Sequence, residues 1–471
     1  MRKQRILYVF LLAALLLSAR TSQAQVLDLS SRSARPSREW VRDAVIYQIF
    51  PRQYSARGDF NSITADLDRL ETLGVNVLWL MPVHPIGVEK KKGSIGSPYA
   101  VRDYYGVNPD YGTPADLKRL IAESHKRGIR VIIDIVANHT SWDNTLIRTH
   151  PEFYKKDKNG NIVPPVADWA DVAGLDHSNP ALRRYLVDML KFWVREYGVD
   201  GFRCDVAMMV PTDLWEHARA EVNKIKSDTI WLAEAEKPEL LLTAFDLDYS
   251  WELFHAIDRA VQGRGPVSDI RMVWEKQASM YPRKAVRMRF SDNHDERRAI
   301  ARLGEHGALA AQLLVLTLDG VPLIYNGMEV GDTTESGFPA LFEKLPIFWP
   351  IAVRRPAFER FYKEMLRLRR SSPALRQGEL KWLDTSERSR VVAFSRHHKD
   401  EELVIVLNLS NTTLRGDIKV SGDFEDITPE FEEHNAVIRG KQDQRTISAF
   451  PGFSLNAFEG RIFRRGPKKR T

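Results

Sequence analysis

The chain of 471 residues contains a single cysteine, Cys204, so it can neither close an internal disulfide nor assemble a cysteine-rich zinc site. It also lacks an apolar run long enough to cross a membrane. The longest, Ile6 to Ala19, is about fourteen residues, well short of the roughly 20 that a spanning helix needs. No internal repeat or low-complexity array is found, and apolar and charged fractions of 43% and 28% exclude global disorder and a fibrous architecture. A real excess of positive charge is missing too. Lys and Arg outnumber Asp and Glu by 69 to 62, giving +7. Four of those charges (Arg2, Lys3, Arg5, Arg20) sit at the very start, and five more (Arg464, Arg465, Lys468, Lys469, Arg470) in the tail. The body between them carries −2, and no basic-aromatic interleaving accompanies it, so no nucleic acid partner is expected.

The basic start, the short apolar run and the small residues Ser22 and Ala24 read as a secretory signal peptide over 1–24. Export to a periplasm or the medium is expected, with no stable membrane anchor after cleavage; the oligomeric state is open. A polar linker over 25–42 follows. From there short β-rich runs alternate with helical periods: AVIYQIF, NVLWLMP, RVIIDIV, GFRCDV, TIWLAEA, AFDLDYS, AVRMRF and VPLIYNG. Eight such runs over 43–375 predict a (β/α)8 TIM barrel of α/β class, whose strands are apolar because both faces are buried. Thr113 and Gly128 bracket one predicted helix as cap and stop. The stretch 139–179, long and rich in Asp, Asn, Pro and Trp, reads as a short inserted B domain after strand 3. Shorter alternating runs over 376–465 predict a C-terminal antiparallel β-sandwich domain, with a solvated basic tail over 466–471.

Polar residues collect where the predicted strands end, the face on which such barrels place their sites. Arg203 and Asp205 are two apart in GFRCDV and leave the same face, while Cys204 points away into the core. A guanidinium beside Asp205 should keep it ionised, as a nucleophile requires. Glu234 follows three apolar residues that would raise its pKa toward that of a usable general acid. A low and a high carboxylate on adjacent strands form the pairing that glycoside hydrolysis needs. His294 and Asp295 end AVRMRFSDNHD; Asp134, Asn138 and His139 end the third strand. Any one of these alone is more simply a helix cap. Four clusters at four strand ends would otherwise leave buried charges unpaired.

DIVANH, GFRCD, the Glu of WLAEA and FSDNHD, in this order, resemble the four characteristic regions of the α-amylase family of glycoside hydrolases, family 13. The similarity runs from about Asp43 to Gly331 and includes IYQIFPRQYS, SPYAVRDYYGVNPDYGT, AGLDHSNP and GVPLIYNGMEVG. It implies an α-glucan or malto-oligosaccharide substrate and a retaining mechanism, with Asp205 as nucleophile, Glu234 as acid and base, and Asp295 orienting sugar hydroxyls. The two reacting carboxyls would then stand about 5 to 5.5 Å apart. It further implies that Arg203, His139 and His294 contact the sugar or the nucleophile, and that Tyr99 is an aromatic platform beneath the sugar. No cofactor is required for the chemistry. A structural calcium at Asn138 and Asp176 is implied in many members, although the same residues serve equally well to hydrogen-bond the loop to the barrel.

Two departures narrow the expectation. A Lys-His pair that many endo-acting members carry after the nucleophile is here Met208 and Met209, which favours short malto-oligosaccharides or transfer to a second sugar. The run Glu89 to Lys92 reads as a solvated loop edge near the active face, and Trp142 and Trp169 are divided between sugar stacking and core. The rival readings are a transglycosylase or glucan isomerase on the same scaffold, and a barrel that binds carbohydrate without catalysis.

Overall fold

The computed structural model describes residues 29–418, 420, 422–430, 447–448 and 452–465. The expected signal peptide over 1–24 and basic tail over 466–471 lie outside these residues. Eight parallel strands close a barrel: β1 (Ile46–Ile49), β2 (Val77–Leu80), β3 (Arg130–Ile135), β6 (Gly201–Cys204), β7 (Ile230–Ala233), β8 (Leu247–Asp248), β9 (Val286–Arg289) and β10 (Val321–Tyr325). All eight predicted runs supply a strand. Their alternation divides the core into two layers. Ile46, Val77, Trp79, Ile132, Leu232 and Met288 belong to an inner cluster, whereas Tyr47, Leu78, Ile133, Phe202 and Cys204 belong to the layer between strands and helices. Gly201 lets β6 approach β7: its φ is 148°, and a Cβ there would sit 1.8 Å from the Ile230 carbonyl oxygen.

Between β3 and β6 the chain forms an antiparallel pair, β4 (His139–Ser141) with β5 (Val172–Gly174), in the stretch expected to be the insertion. Helix Pro114–Lys126 starts at Thr113 with a reciprocal cap, in which the Asp116 carboxylate accepts the Thr113 N–H at 2.8 Å. Such a cap contributes about 1 kcal/mol, and Gly128, at φ 69°, follows the helix end as expected. Between β1 and β2 the helical stretch is broken at Asp66, whose φ of −102° and ψ of 5° separate Phe60–Ala65 from Leu67–Leu73. The segment expected to be a linker is docked on the barrel. Arg35 and Ser37 both donate to the Asp246 carboxylate, Trp40 donates to Asp228 at 2.7 Å, and Val41 is fully buried.

The C-terminal strands are β11 (Glu379–Trp382), β12 (Val391–His398), β13 (Glu401–Asn408), β14 (Leu414–Gly416), β15 (Asp423–Asp426), β16 (Ile447–Ser448), β17 (Phe453–Leu455) and β18 (Gly460–Arg465). They make a six-stranded sheet in the order β11-β12-β13-β18-β15-β16, with β14 and β17 paired separately and antiparallel. Val391, Val404, Phe424, Leu414 and Leu455 share the apolar cluster that joins the two sheets. Among the described residues no helix is long and apolar enough to cross a membrane.

Candidate active site

The site is built around one guanidinium. Arg203, near the end of β6, is fully buried, because the inner face it leaves is walled by the rings of Trp79, Tyr99 and Tyr249, whose centroids lie 5.2, 5.6 and 5.7 Å from its Cζ. Its Nη1 donates to Asp134 at 3.0 Å and to Asp205 at 2.9 Å, and its Nη2 lies 3.0 Å from Glu234 Oε1, off hydrogen-bond alignment. Nε donates to the Tyr249 hydroxyl at 3.2 Å. Three carboxyls therefore compete for one cation, and desolvation opposes ionising all of them. Burial pushes Glu234 up to about 7 against the pull of Arg203, with Asp205 and Asp295 adding to the rise. Asp134 is pushed up to about 8 by the same burial.

Asp205 departs from the sequence expectation. Burial raises its pKa despite the Arg203 contact, because the guanidinium is shared rather than its own. It nevertheless keeps a direct, aligned hydrogen bond from Arg203, which Glu234 lacks, so of these two carboxyls Asp205 holds the negative charge better. Glu234 takes instead the N–H of Val206 on its Oε2 at 2.6 Å. Val206 reaches this position through φ 36°, a left-handed conformation that costs a β-branched residue free energy.

Asp295 stands at the rim with a side chain 34% exposed, and its Oδ1 lies 3.3 Å from His294 Nε2. His294 is buried and stacked on Tyr99, with ring centroids 5.5 Å apart. Gln48 on β1 donates to its Nδ1 at 2.6 Å, so the ring's hydrogen is on Nε2 and meets the Tyr99 hydroxyl at 2.7 Å. That hydroxyl donates in turn to Asp134 at 3.2 Å. Burial holds His294 near 3 and His139 near 4, so both rings are neutral. His139, on β4, meets Trp169 edge-on at 5.6 Å.

All six residues Asp205, Glu234, Asp295, Arg203, His294 and Tyr99 meet in this network. Sequence reasoning did not pick out Gln48, Trp79 or Tyr249, and it gave Asp134 no role in the site. The two residues with an expected calcium role stand apart from it. Asn138 keeps a buried Oδ1 without a protein partner, but Asp176 Oδ1 already accepts the Ser178 N–H and hydroxyl. Among the described residues no group of three or more His, Cys, Asp or Glu is gathered for a metal. Asn138 Oδ1 and the second carboxylate oxygen of Asp176 are of the kind calcium takes, two of the six to eight it needs, and no catalytic step is routed through that ion.

Comparison with known proteins follows the same lines. A family model described as the α-amylase catalytic domain matches residues 32–161, 166–241 and 254–376. An α-amylase from Haloarcula japonica is 30% identical over an alignment of 401 residues that covers 79% of this chain and only 56% of that relative. A cyclomaltodextrinase from a Bacillus species is 27% identical over 78% of this chain and 73% of its own. Among solved structures, a maltogenic α-amylase from Thermotoga neapolitana superposes with a TM-score of 0.81 at 30% identity, covering 91% of this chain and 99% of that one. An α-amylase from Lactobacillus plantarum gives 0.77 at 30% identity, over 91% and 100%.

Proposed function

The chain belongs to the α-amylase family of glycoside hydrolases, and from that premise we propose that it hydrolyses α-1,4 bonds in starch-type glucans or malto-oligosaccharides with retention of configuration. The observation that carries this reading is the shared guanidinium. Arg203 sets Asp205 and Glu234 side by side on its two η nitrogens, and side-by-side carboxyls suit a covalent intermediate better than a water-separated inverting pair.

In the first half-reaction an Asp205 oxygen attacks the anomeric carbon as the glycosidic bond breaks, and Glu234 gives its proton to the departing oxygen. In the second, Glu234 takes a proton from water, whose oxygen displaces Asp205. A pKa of about 7 keeps Glu234 protonated in the free enzyme on the acid side of neutrality, which the first half-reaction requires. As the glycosidic bond breaks, the sugar's developing positive charge faces the Asp205 carboxylate, which is consumed as the ester forms, and the rim carboxylate Asp295, which is placed to take sugar hydroxyls. Neutral His294 and His139 bring no charge to the site, and His294, with its one N–H on the Tyr99 hydroxyl, fixes that ring in place together with Asp134. Proton NMR of the first product from maltotetraose tests the reading: the α anomer should appear first, and an initial β anomer would refute retention.

Transfer to an acceptor sugar has its own support. Met208, where many members carry a charged residue, is 43% exposed beside the acid, an apolar surface for the flat face of a second glucosyl unit. Added glucose should then yield lengthened products on chromatography. Export is proposed on the leader pattern alone; sequencing the N-terminus of the protein recovered outside the cytoplasm should find a start after Ala24.

A further inference from the structure

Residues 87–96, a strap after β2 that contains the run Glu89 to Lys92 read in the sequence as a solvated loop edge, are fastened on both sides and run directly into Tyr99. Toward the insertion, the Val88 N–H donates to Asp143 at 3.1 Å and the Lys90 ammonium lies 3.4 Å from the Trp142 ring centroid. Lys92 pairs with Asp171 at 2.8 Å and donates to the Asp168 carbonyl at 3.0 Å. Toward the segment after β10, Ser94 donates its N–H to Glu343 at 2.9 Å and its hydroxyl to the same carboxylate, while the Ile95 N–H donates to the Phe342 carbonyl at 3.1 Å. The buried guanidinium of Arg52 closes the seam, donating from Nη1 to the Gly96 and Leu341 carbonyls at 3.1 Å each.

Both anchors touch the site's surroundings. Asp171 is close enough to act electrostatically on His139. Helix Phe338–Phe342 follows Gly337, where a Cβ would lie 3.1 Å from the Asp295 carbonyl oxygen, and the Ser336 hydroxyl donates to the Glu296 carbonyl at 2.7 Å. Insertion, strap and post-β10 segment thus form one continuous wall along the Tyr99 and Asp295 side. On the Glu234 side the chain runs through Ala207, whose N–H donates to the Glu234 carbonyl at 3.1 Å, to the exposed Met208.

A general acid stands at the leaving group, so Glu234 marks the side of the departing sugar, and the wall stands on the side of the sugar that is retained. We infer that the strap makes this a chain-end enzyme: it admits only a short run of glucosyl units on the non-reducing side of the cleaved bond, and Lys92 and Glu343 determine that specificity. Isolated surface ion pairs hold little, but here charge pairs, backbone hydrogen bonds and a buried arginine act on six residues within a stretch of ten. The inference rests on the glucan-hydrolase reading and on Glu234 as its acid.

The test uses two maltoheptaosides, one with a free non-reducing end and one with that end blocked by a 4,6-O-alkylidene group. The full-length enzyme is expected to cleave the free substrate at least about tenfold faster, since a walled pocket rejects added bulk. The double variant Lys92→Ala, Glu343→Ala is expected to narrow that ratio while keeping turnover of the free substrate. Lys92→Ala alone, at a half-exposed side chain that does not threaten folding, should move it in the same direction. Equal wild-type rates on both substrates would overturn the inference and leave the hydrolase reading standing. An unchanged ratio in both variants would remove the strap from it. No cleavage of either substrate would overturn the hydrolase reading itself, and the inference with it.

Discussion

Strand β6 is flanked by two buried aspartates, and the two are treated in opposite ways. Asp200, just before the strand, accepts hydrogen bonds from the Val131 N–H, His125 and Lys226, each at 2.7 Å. Those partners belong to that carboxylate, and they hold its pKa below the usual range although burial pushes the other way. Asp205, just after the strand, has Arg203 only as a shared partner, and burial wins. Supplying several donors to one carboxylate, a cation among them, makes it a structural staple. Supplying fewer cations than carboxylates leaves protons to be distributed, which is what acid-base chemistry uses.

Removing the acid should break the comparison most visibly. Glu234→Gln is expected to lower kcat about 10²- to 10⁴-fold while sugar binding, read by calorimetry, persists. Asp200→Asn should do the reverse, leaving kcat of the folded enzyme near wild type while costing about 2 kcal/mol of stability. Comparable kcat losses in both variants would erase the distinction between the two ends of the strand.

Next in size is the pH profile. With Glu234 near 7, kcat/KM is expected to fall about tenfold per pH unit on the alkaline side of neutrality, as the proton the acid must give is lost. Asp134, pushed up to about 8, is largely protonated where Glu234 titrates, so Asp134→Asn removes little charge there and the alkaline limb should stay in place. A limb that moves to lower pH would mean that Asp134 carries negative charge in the free enzyme at neutral pH. Stability should answer in the same sense. Glu234 is raised above its value of 4.5 in an unfolded chain, so it destabilises the fold increasingly as pH rises from there through about 7. Glu234→Gln is therefore expected to raise Tm by about 2 °C or more at pH 8 and by less at pH 4.

How much of this the sequence shows also differs between regions. The barrel strands are legible because burial on both faces makes each one a continuous apolar run, and Asp205, Glu234 and Asp295 are legible because charge follows such a run abruptly. Gln48, Trp79 and Tyr249 are not. Each sits on a different strand and acquires its partner only when the barrel closes, so nothing local marks Gln48 as the residue that fixes the His294 tautomer. The direction of the Asp205 shift is hidden for the same reason: Arg203 is a sequence neighbour, but its other claimants come from β3 and the end of β7. In the C-terminal domain, Gly460–Arg465 carries charges that obscure its alternation, yet it is the central partner of β13 and β15. The docked segment before β1 reads as linker because its anchors are single polar contacts to distant residues.

The smallest effect sharpens the comparison at the staple. Asp200 has a pKa lowered in the fold, so its contribution is fully present above its unfolded value of about 3.9 and is lost as pH falls through the folded one. This is the opposite sign to Glu234, and the two ends of one strand should respond oppositely to acid. Lys226→Met removes one charged partner whose side chain is 29% exposed, so solvent already screens it and the cost should be only about 0.5–1 kcal/mol at neutral pH. His125 and the Val131 N–H remain, so the carboxylate stays ionised and the fold intact. The loss should shrink toward zero as pH falls through the lowered pKa of Asp200, below which wild type and variant alike hold a protonated carboxyl. Urea melts of both proteins from pH 7 down to the most acidic pH at which both stay folded would show this as two stability curves converging at the acid end. Curves that remain parallel would mean that Lys226 acts through its contact with the chain and not through the charge on Asp200.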